Sequence, residues 1–393
     1  MRRRPWFAVA GLASALAAQQ TWTVNASGGP GAQFATLAAA VAAAADGDVI
    51  VCQHPMFGES LGGFTTSKGL TIVGDANGVP LQTLGAPIQV IGLPAGRTFR
   101  MAGFQAISDG ELRITLQNCA GRVELDNLQA RSPDAFFPST PAIDIAQCAS
   151  VVLRDVVDFG TPAVRIDGSR VVLSSCWLGI TRIGVGGGPC LQATNAEVEV
   201  VQPVFRTGGQ LAGPNAPWPA IAATNSVLRV SGGAGAIVSA GPPISATGGS
   251  AIVANSGAVR LDSAVVLAAG IGQPTTAGTA TFTMGPVPAT WCIAPAVAGQ
   301  ALALATAAPA GAVAWLAVGL PTALASSPLG PLGVDPASAV FLPAAIAPVG
   351  GGSIASLVAI PSTLPRGQGF AAQAVVWDGA ALQTGLPVVF VVQ

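Results

Sequence analysis

The sequence predicts an all-β chain: a parallel β-helix (solenoid) with an N-terminal capping helix, followed by a small β-sandwich domain. Three observations predict it. One two-strand phrase recurs six times between about residues 110 and 265, with no helical patterning between the copies. Asparagines recur at the bend of the later copies. Near residue 285 the composition shifts to short alternating strands separated by Pro and Gly, almost without charge.

The first residues read as an export signal, residues 1–17. Arg2, Arg3 and Arg4 precede an apolar run from Trp6 to Leu16, and Ala15-Leu16-Ala17 offers a small-residue cleavage site. The mature chain is then expected to begin near Ala18, secreted or at the cell surface. Later apolar stretches are broken by Gly and Pro every few residues, so no membrane-spanning helix is expected. The formal net charge is −1, and Lys68 is the single lysine, which removes the basic stripe that tracking a phosphate backbone requires. Charged residues make up 9% of the chain, against about 25% in ordinary globular proteins. Gly, Ala, Ser, Thr and Pro take their place, as suits closely stacked strands with many turns.

A short helix precedes the repeats. In "FATLAAAVAAAADGD", Phe34, Leu37 and Val41 fall at helical spacing and Asp46-Gly47 supplies a stop. Such a helix covers the apolar end that an open solenoid would expose.

The repeats run from "ITLQNCAGRVELDNL" at Ile114 to "IVANSGAVRLDSAVV" at Ile252. Aligned on the second strand, their inward pairs are Val123/Leu125, Val151/Leu153, Val171/Leu173, Val198/Val200, Leu228/Val230 and Val259/Leu261. The spacings are 28, 20, 27, 30 and 31 residues, in the range of stacked repeats that cannot bury their apolar faces alone. Period-two strands without helices favour a β-helix over an α/β barrel or a leucine-rich horseshoe. Asn195, Asn225 and Asn255 recur at intervals of 30, as a bend needing left-handed backbone favours. Residues 18–285 are assigned to this unit and 286–393 to the sandwich.

The same register places Cys119 and Cys148 at one turn position in successive repeats, about 4.8 Å apart at Cα and within disulfide range. Cys176 and Cys190 flank "GVGGGP" and are expected to close that loop. Asp126 with Arg154, and Glu199 with Arg229 and Arg260, fall in outward columns and read as surface ladders, each pair worth about 0–1 kcal/mol. No CxxC pair suggests a zinc site.

The opening of the chain resembles the pectin-lyase-like, right-handed parallel β-helix superfamily, and most closely the start of pectin methylesterases. The residues that carry this are "GAQFATL", "GDVIVCQHPMFGES" and "GLTIVGD", in that order. The likeness is close over about residues 23–75 and extends to about 285 in pattern only. It implies a right-handed solenoid. It also implies that His54 and Glu59, on the first rung, are structural, because enzymes of this superfamily carry their chemistry on the middle rungs. The C-terminal segment, with "PLGPLGVDPAS" and "GFAAQAVVWDG", looks like the sandwich modules of secreted bacterial proteins.

Charge concentrates where an active site would lie. About half of the charged residues fall between Arg97 and Arg170, and only Asp335, Arg366 and Asp378 follow Met284. The sharpest cluster is "LRDVVDFGTPAVRID". Asp155 and Asp158 are candidate paired carboxylates, and Arg154 or Arg165 a candidate clamp for a uronate. "VDFG" is similar to a methylesterase phrase, and that resemblance makes Asp158 the candidate nucleophile. The rest of the phrase is missing, as are the Asp-Asp pair and Gly-His-Gly of polygalacturonases. "RSPDAF" begins a lyase segment without finishing it, so no cofactor is expected, and calcium stays an open but unsupported alternative. Phe136, Phe137 and Trp177 are candidates for stacking on sugar rings. Two readings follow: a non-catalytic carbohydrate-binding or cell-surface protein with a polysaccharide or envelope glycan as partner, or a pectinesterase-like or lyase enzyme acting on acidic glycans.

Overall fold

The computed structural model describes residues 19–53, 61–74, 79–81, 87–106, 112–131, 141–159, 162–179, 188–206, 218–233, 235–240, 249–270, 272–349 and 353–393. The expected signal segment, His54, Glu59, Phe136 and Phe137 lie outside the described residues.

The chain is all-β, with a parallel solenoid of about seven turns and a small antiparallel unit near its C-terminus. Three parallel faces wrap one apolar core. The first face stacks Thr65–Thr66, Ile88–Ile91, Ile114–Gln117, Ile143–Ala146, Val164–Asp167, Leu191–Thr194 and the leading halves of Ile221–Ser231 and Ile252–Leu261. The second runs from Thr21–Val24 through Val49–Cys52 and Thr71–Val73 to the leading halves of Thr98–Ala106, Arg122–Arg131 and Ser150–Phe159. It continues through Arg170–Ser174 and Glu197–Val201 to Thr281–Met284. The third holds Val79–Leu81 and the trailing halves of Thr98–Ala106, Arg122–Arg131 and Ser150–Phe159, with Trp177–Gly179, Val204–Arg206, Ile237–Ser239 and Val266–Ala268.

The six inward pairs stack as their spacing requires: Val123, Val151, Val171, Val198, Leu228 and Val259 stand opposite one another in successive turns, all buried. Phe99 and Met101 extend the column one turn earlier. Two corners bend by left-handed residues. Between the first and second faces these are Asn118, Gln147, Gly168, Asn195 and Asn225, and between the second and third Asn127, Asp155, Ser175 and Gln202. Asn225 Nδ2 donates to Asn195 Oδ1 at 2.8 Å, the amide stacking that such a corner allows. The third asparagine is displaced. Asn255 stands opposite Thr224, and Ser256, with φ 63°, takes the corner.

The N-terminal end is closed by the helix Leu37–Ala43, whose Leu37, Ala40 and Val41 are buried and whose N-cap is Thr36. Phe34 precedes the helix and packs edge-on against Trp22, ring centroids 5.5 Å apart. Lys68 Nζ ends the helix by donating to the carbonyls of Val41, Ala42 and Ala44. Among the described residues no helix is long and apolar enough to cross a membrane.

The C-terminal unit has a three-stranded sheet (Ala289–Cys292, Ala301–Ala307, Ser353–Ala359) and a larger sheet around Val313–Gly319 and Gly369–Trp377, all antiparallel. Leu302, Leu304, Leu316, Val388 and Phe390 form its core. All six cysteines are buried thiols. Cys119 and Cys148 lie two residues past the paired Gln117 and Ala146, and Ala149 N donates to Cys119 O at 2.8 Å. Cys176 Sγ donates to Leu153 O and Ser174 O, while Cys190 is fully buried just before Leu191.

Candidate functional site

The corner at Asp155 decides where the charged cluster goes. In a strand, alternate side chains face opposite sides, and a left-handed residue interrupts that alternation. Up to the corner Leu153 points inward and Arg154 outward. Past it Val156 and Asp158 take interior positions and Val157 the outer one. Asp158 is wholly buried, opposite Ala130 and Leu178, which are also wholly buried. Asp155 sits at the corner itself with φ 49°. Arg165 lies on a different face, where it makes a two-pronged pair with Asp144, Nε–Oδ1 2.8 Å and Nη2–Oδ2 2.6 Å. Of the four candidate catalytic residues, only Arg154 and Asp155 are brought together, Nη1–Oδ2 2.7 Å.

Arg154 also pairs with Asp126 in the neighbouring turn, and neither is on the surface: their side chains are 1% and 3% exposed. Their cover is the C-terminal unit. Val391 N donates to Asp126 Oδ2 at 2.9 Å, and Asn127 Nδ2 to Gln393 Oε1 at 3.2 Å. Beside them Val152 and Val172 of the solenoid pack with Val334, Ala371 and Val389. Further along, Val201 packs with Val287, Ala289 and Trp291. The Asp126–Arg154 column is therefore a buried docking seam and not the expected surface ladder. Glu199, which accepts from Arg229 at 2.9 Å, is also buried, 3% exposed.

Burial sets the electrostatics of this seam. It pushes the Asp126 carboxyl up to about 6 despite the opposing pull of Arg154, and it raises Asp155 above the usual carboxylate range. Burial alone would lower Arg154, but Asp126, Cys292 and Asp155 hold it above its ordinary value. The guanidinium is thus fixed as a cation and carries no proton for chemistry.

The first face is open and polar. Outward positions of its successive strands carry Thr65, Gln89, Thr115, Asp144, Arg165 and Gln192, in register from turn to turn. Six positions at the usual interstrand spacing span roughly 24 Å. A shallow depression of about 440 Å³ lies along the middle of this row, lined by Gln117, Asp167 and Thr194 beside Asp144, Arg165 and Gln192. Thr65 Oγ1 donates to Gln89 Oε1 at 2.9 Å farther up the row. Asp144 raises the Arg165 pKa through its hydrogen bond, so the two charges neutralise each other.

Trp177 does not join this surface. It lies on the third face opposite Val157 and Val204, and its ring packs over Gly179. Sequence reasoning missed Asp144, Thr115, Gln117, Gln192 and Thr194. The signal was present in "ITLQ", "IDIA", "VRID" and "LQAT", whose polar residues alternate with buried ones on the first strand of each repeat. No family model and no curated protein matches the chain.

Proposed function

We propose that this is an exported, non-catalytic carbohydrate-binding protein that holds a glycan along the first face of its solenoid. The single observation behind this reading is the dispersal of the expected catalytic set. Arg154 and Asp155 lie in the docking seam, Asp158 on the interior side and Arg165 on the open face. General acid–base work needs groups within hydrogen-bond reach of one reacting atom, and these four do not share a surface. The open face instead offers amides, hydroxyls and a neutralised ion pair, groups suited to sugar hydroxyls. Its length accommodates several sugar units.

The experiment is a binding panel of neutral and acidic polysaccharides with the purified protein, alongside an assay for new reducing ends. Saturable binding that Gln192→Ala and Arg165→Gln weaken by about tenfold, roughly 1.4 kcal/mol, without chain cleavage, is the expected result. Binding unaffected by these substitutions would remove the first face from the reading. Export is tested by the mass of protein recovered from culture medium, expected to begin near Ala18.

A second reading draws on Asp144 and Asp167, carboxylates of neighbouring turns that line one open depression. If the protein is an esterase or lyase on acidic glycans, these are the residues that carry it. Release of methanol or of unsaturated ends, lost in Asp144→Asn and Asp167→Asn, is the measurement that separates the two.

A further inference from the structure

A second cleft, of about 380 Å³, lies where the C-terminal unit meets the first turns of the solenoid, lined by three arginines and two aspartates. Arg97 and Arg100 line it from the solenoid, and Arg366 lines it from the loop Pro365–Gln368. Arg366 is the only basic residue after Met284. The loop that carries it is fixed in place. Gly367 N donates to Val392 O at 2.7 Å and Val392 N to Gln368 O at 2.9 Å, which ties it to the strand that docks on Asp126. Gly367, at φ +85°, comes so close that a Cβ would stand 2.4 Å from Thr71 Cγ2, and one on Gly369 would stand 2.6 Å from Arg100 Nε. The fold therefore brings Arg366 to the two solenoid arginines by a contact that tolerates no side chain.

The nearby carboxylates are already occupied. Asp48 accepts from Gln20 N, Trp22 Nε1 and Ala45 N. Asp46 accepts from Gly69 N and faces Arg97 at 3.4 Å. Glu124 is shared between Arg100 and Arg122, each at 2.7 Å. Arg366 makes no ion pair among the described residues. Arg122 stands opposite Thr98 of the cleft wall and is 5% exposed, yet its Nη1 and Nη2 find no hydrogen-bond partner among the described residues. A buried guanidinium with free donors is costly. Four guanidinium groups gathered around three committed carboxylates leave a local positive excess, in the planar donor geometry that matches an oxyanion.

We propose that this cleft binds an oxyanion, a carboxylate or a sulfate group, which bridges the solenoid and the C-terminal unit through Arg97, Arg100 and Arg366. The group arrives either as a free anion or as the acid of a sugar. The site is separate from the first face and independent of what that face binds.

The test uses the full chain. Calorimetric titration with sodium sulfate, against sodium chloride at equal ionic strength, reads the free anion. Titration with trigalacturonate, against maltotriose, reads the sugar acid. Saturable binding in either arm, weakened about tenfold or more by both Arg366→Gln and Arg97→Gln and unchanged by Arg206→Gln on the third face, is expected. Sulfate binding identifies a free-anion site, and binding of trigalacturonate alone identifies a sugar-acid site. Both side chains are largely solvent-exposed, so unaltered melting in chloride will show that the variants are folded. No saturable binding in either arm, or equal affinity in the cleft variants and wild type, overturns the proposal.

Discussion

Arg154 and Asp126 form an ion pair between adjacent turns of the solenoid, sealed beneath the last strand of the C-terminal unit by the bond from Val391 N. A buried pair returns little net stability because both ions lose their hydration, but removing one partner strands the other. Arg154→Met alone is therefore expected to lower unfolding free energy by about 3–5 kcal/mol. Asp126→Leu with Arg154→Met should recover only part of that, because Asp155 still loses its ion pair and Val391 N its acceptor. Urea unfolding of the two variants checks the pair, and equal losses in both would mean that the seam depends on the charges themselves.

Glu199 makes stability depend on pH in a definite direction. Burial pushes its carboxyl up to about 7, with Arg229 opposing and Glu197 adding to the shift. A folded-state value above the unfolded one means that the native state holds the proton more tightly. That contribution is complete below the unfolded value of about 4.3 and is lost as pH rises through about 7. Unfolding free energy should fall by up to about 4 kcal/mol across this window, and Glu199→Gln should reduce the slope. Glu197 and Asp48 act the other way. Burial raises both, but the arginines around Glu197, and for Asp48 the hydrogen bonds from Ala45, Trp22 and Gln20, more than offset it, so their folded values are lowered. Their contribution is present above the unfolded value and is lost as pH falls through the folded one. Chemical denaturation at several pH values measures both limbs.

The corner at Asn225 tests the asparagine column. Its φ of 49° is left-handed, where a Cβ costs roughly 1–2 kcal/mol and Asn or Gly is tolerated. Asn225→Ala keeps the Cβ in this strained region and loses the side-chain bond to Asn195, so it is expected to cost about 1 kcal/mol, while Asn225→Gly, which removes the strain, should cost less than Asn225→Ala. Thermal melts of the two variants order them, and an alanine variant as stable as the glycine one would contradict the strain.

The solenoid was legible in the sequence because its inward pairs repeat: Val151/Leu153 and Val171/Leu173 announce a register that the backbone obeys residue for residue. The corner at Asp155 was not legible. Nothing in "LRDVVDF" says that the alternation resets between Asp155 and Val156, so Asp155 and Asp158 looked like partners when one is at a bend and the other faces inward. The Asn255 displacement has the same origin, since "NSG" allows the bend at any of three residues and Ser256 takes it. The docking seam joins residues some 265 positions apart, as Asp126 with Val391, beyond the reach of local pattern. It left one trace: Val152, Val172 and Val201 occupy outward positions, where an uncovered face would carry polar side chains.

Cys119 and Cys148 carry the last prediction. They stand in register in adjacent turns, both buried, and the Cys148 thiol hydrogen-bonds Cys119 and brings its pKa down to about 7 while its own rises. In the folding chain, before these positions are buried, the thiolate of one of them attacks a small disulfide such as oxidised glutathione and releases one thiolate, and the other then displaces the second, so two protein thiols are oxidised as one disulfide is reduced. Burial confines the exchange to the folding chain, and refolding in a glutathione redox buffer is expected to yield a Cys119–Cys148 cross-link. Closing a loop of about 30 residues should add about 3–4 kcal/mol. Cys176, whose thiol burial pushes up to about 12, is inert to thiol exchange once the chain is folded. Peptide mapping without reductant, with Cys119→Ser as the control, distinguishes the outcomes: a Cys119–Cys148 peptide supports the register-driven pairing, and full alkylation of both residues after oxidative refolding contradicts it.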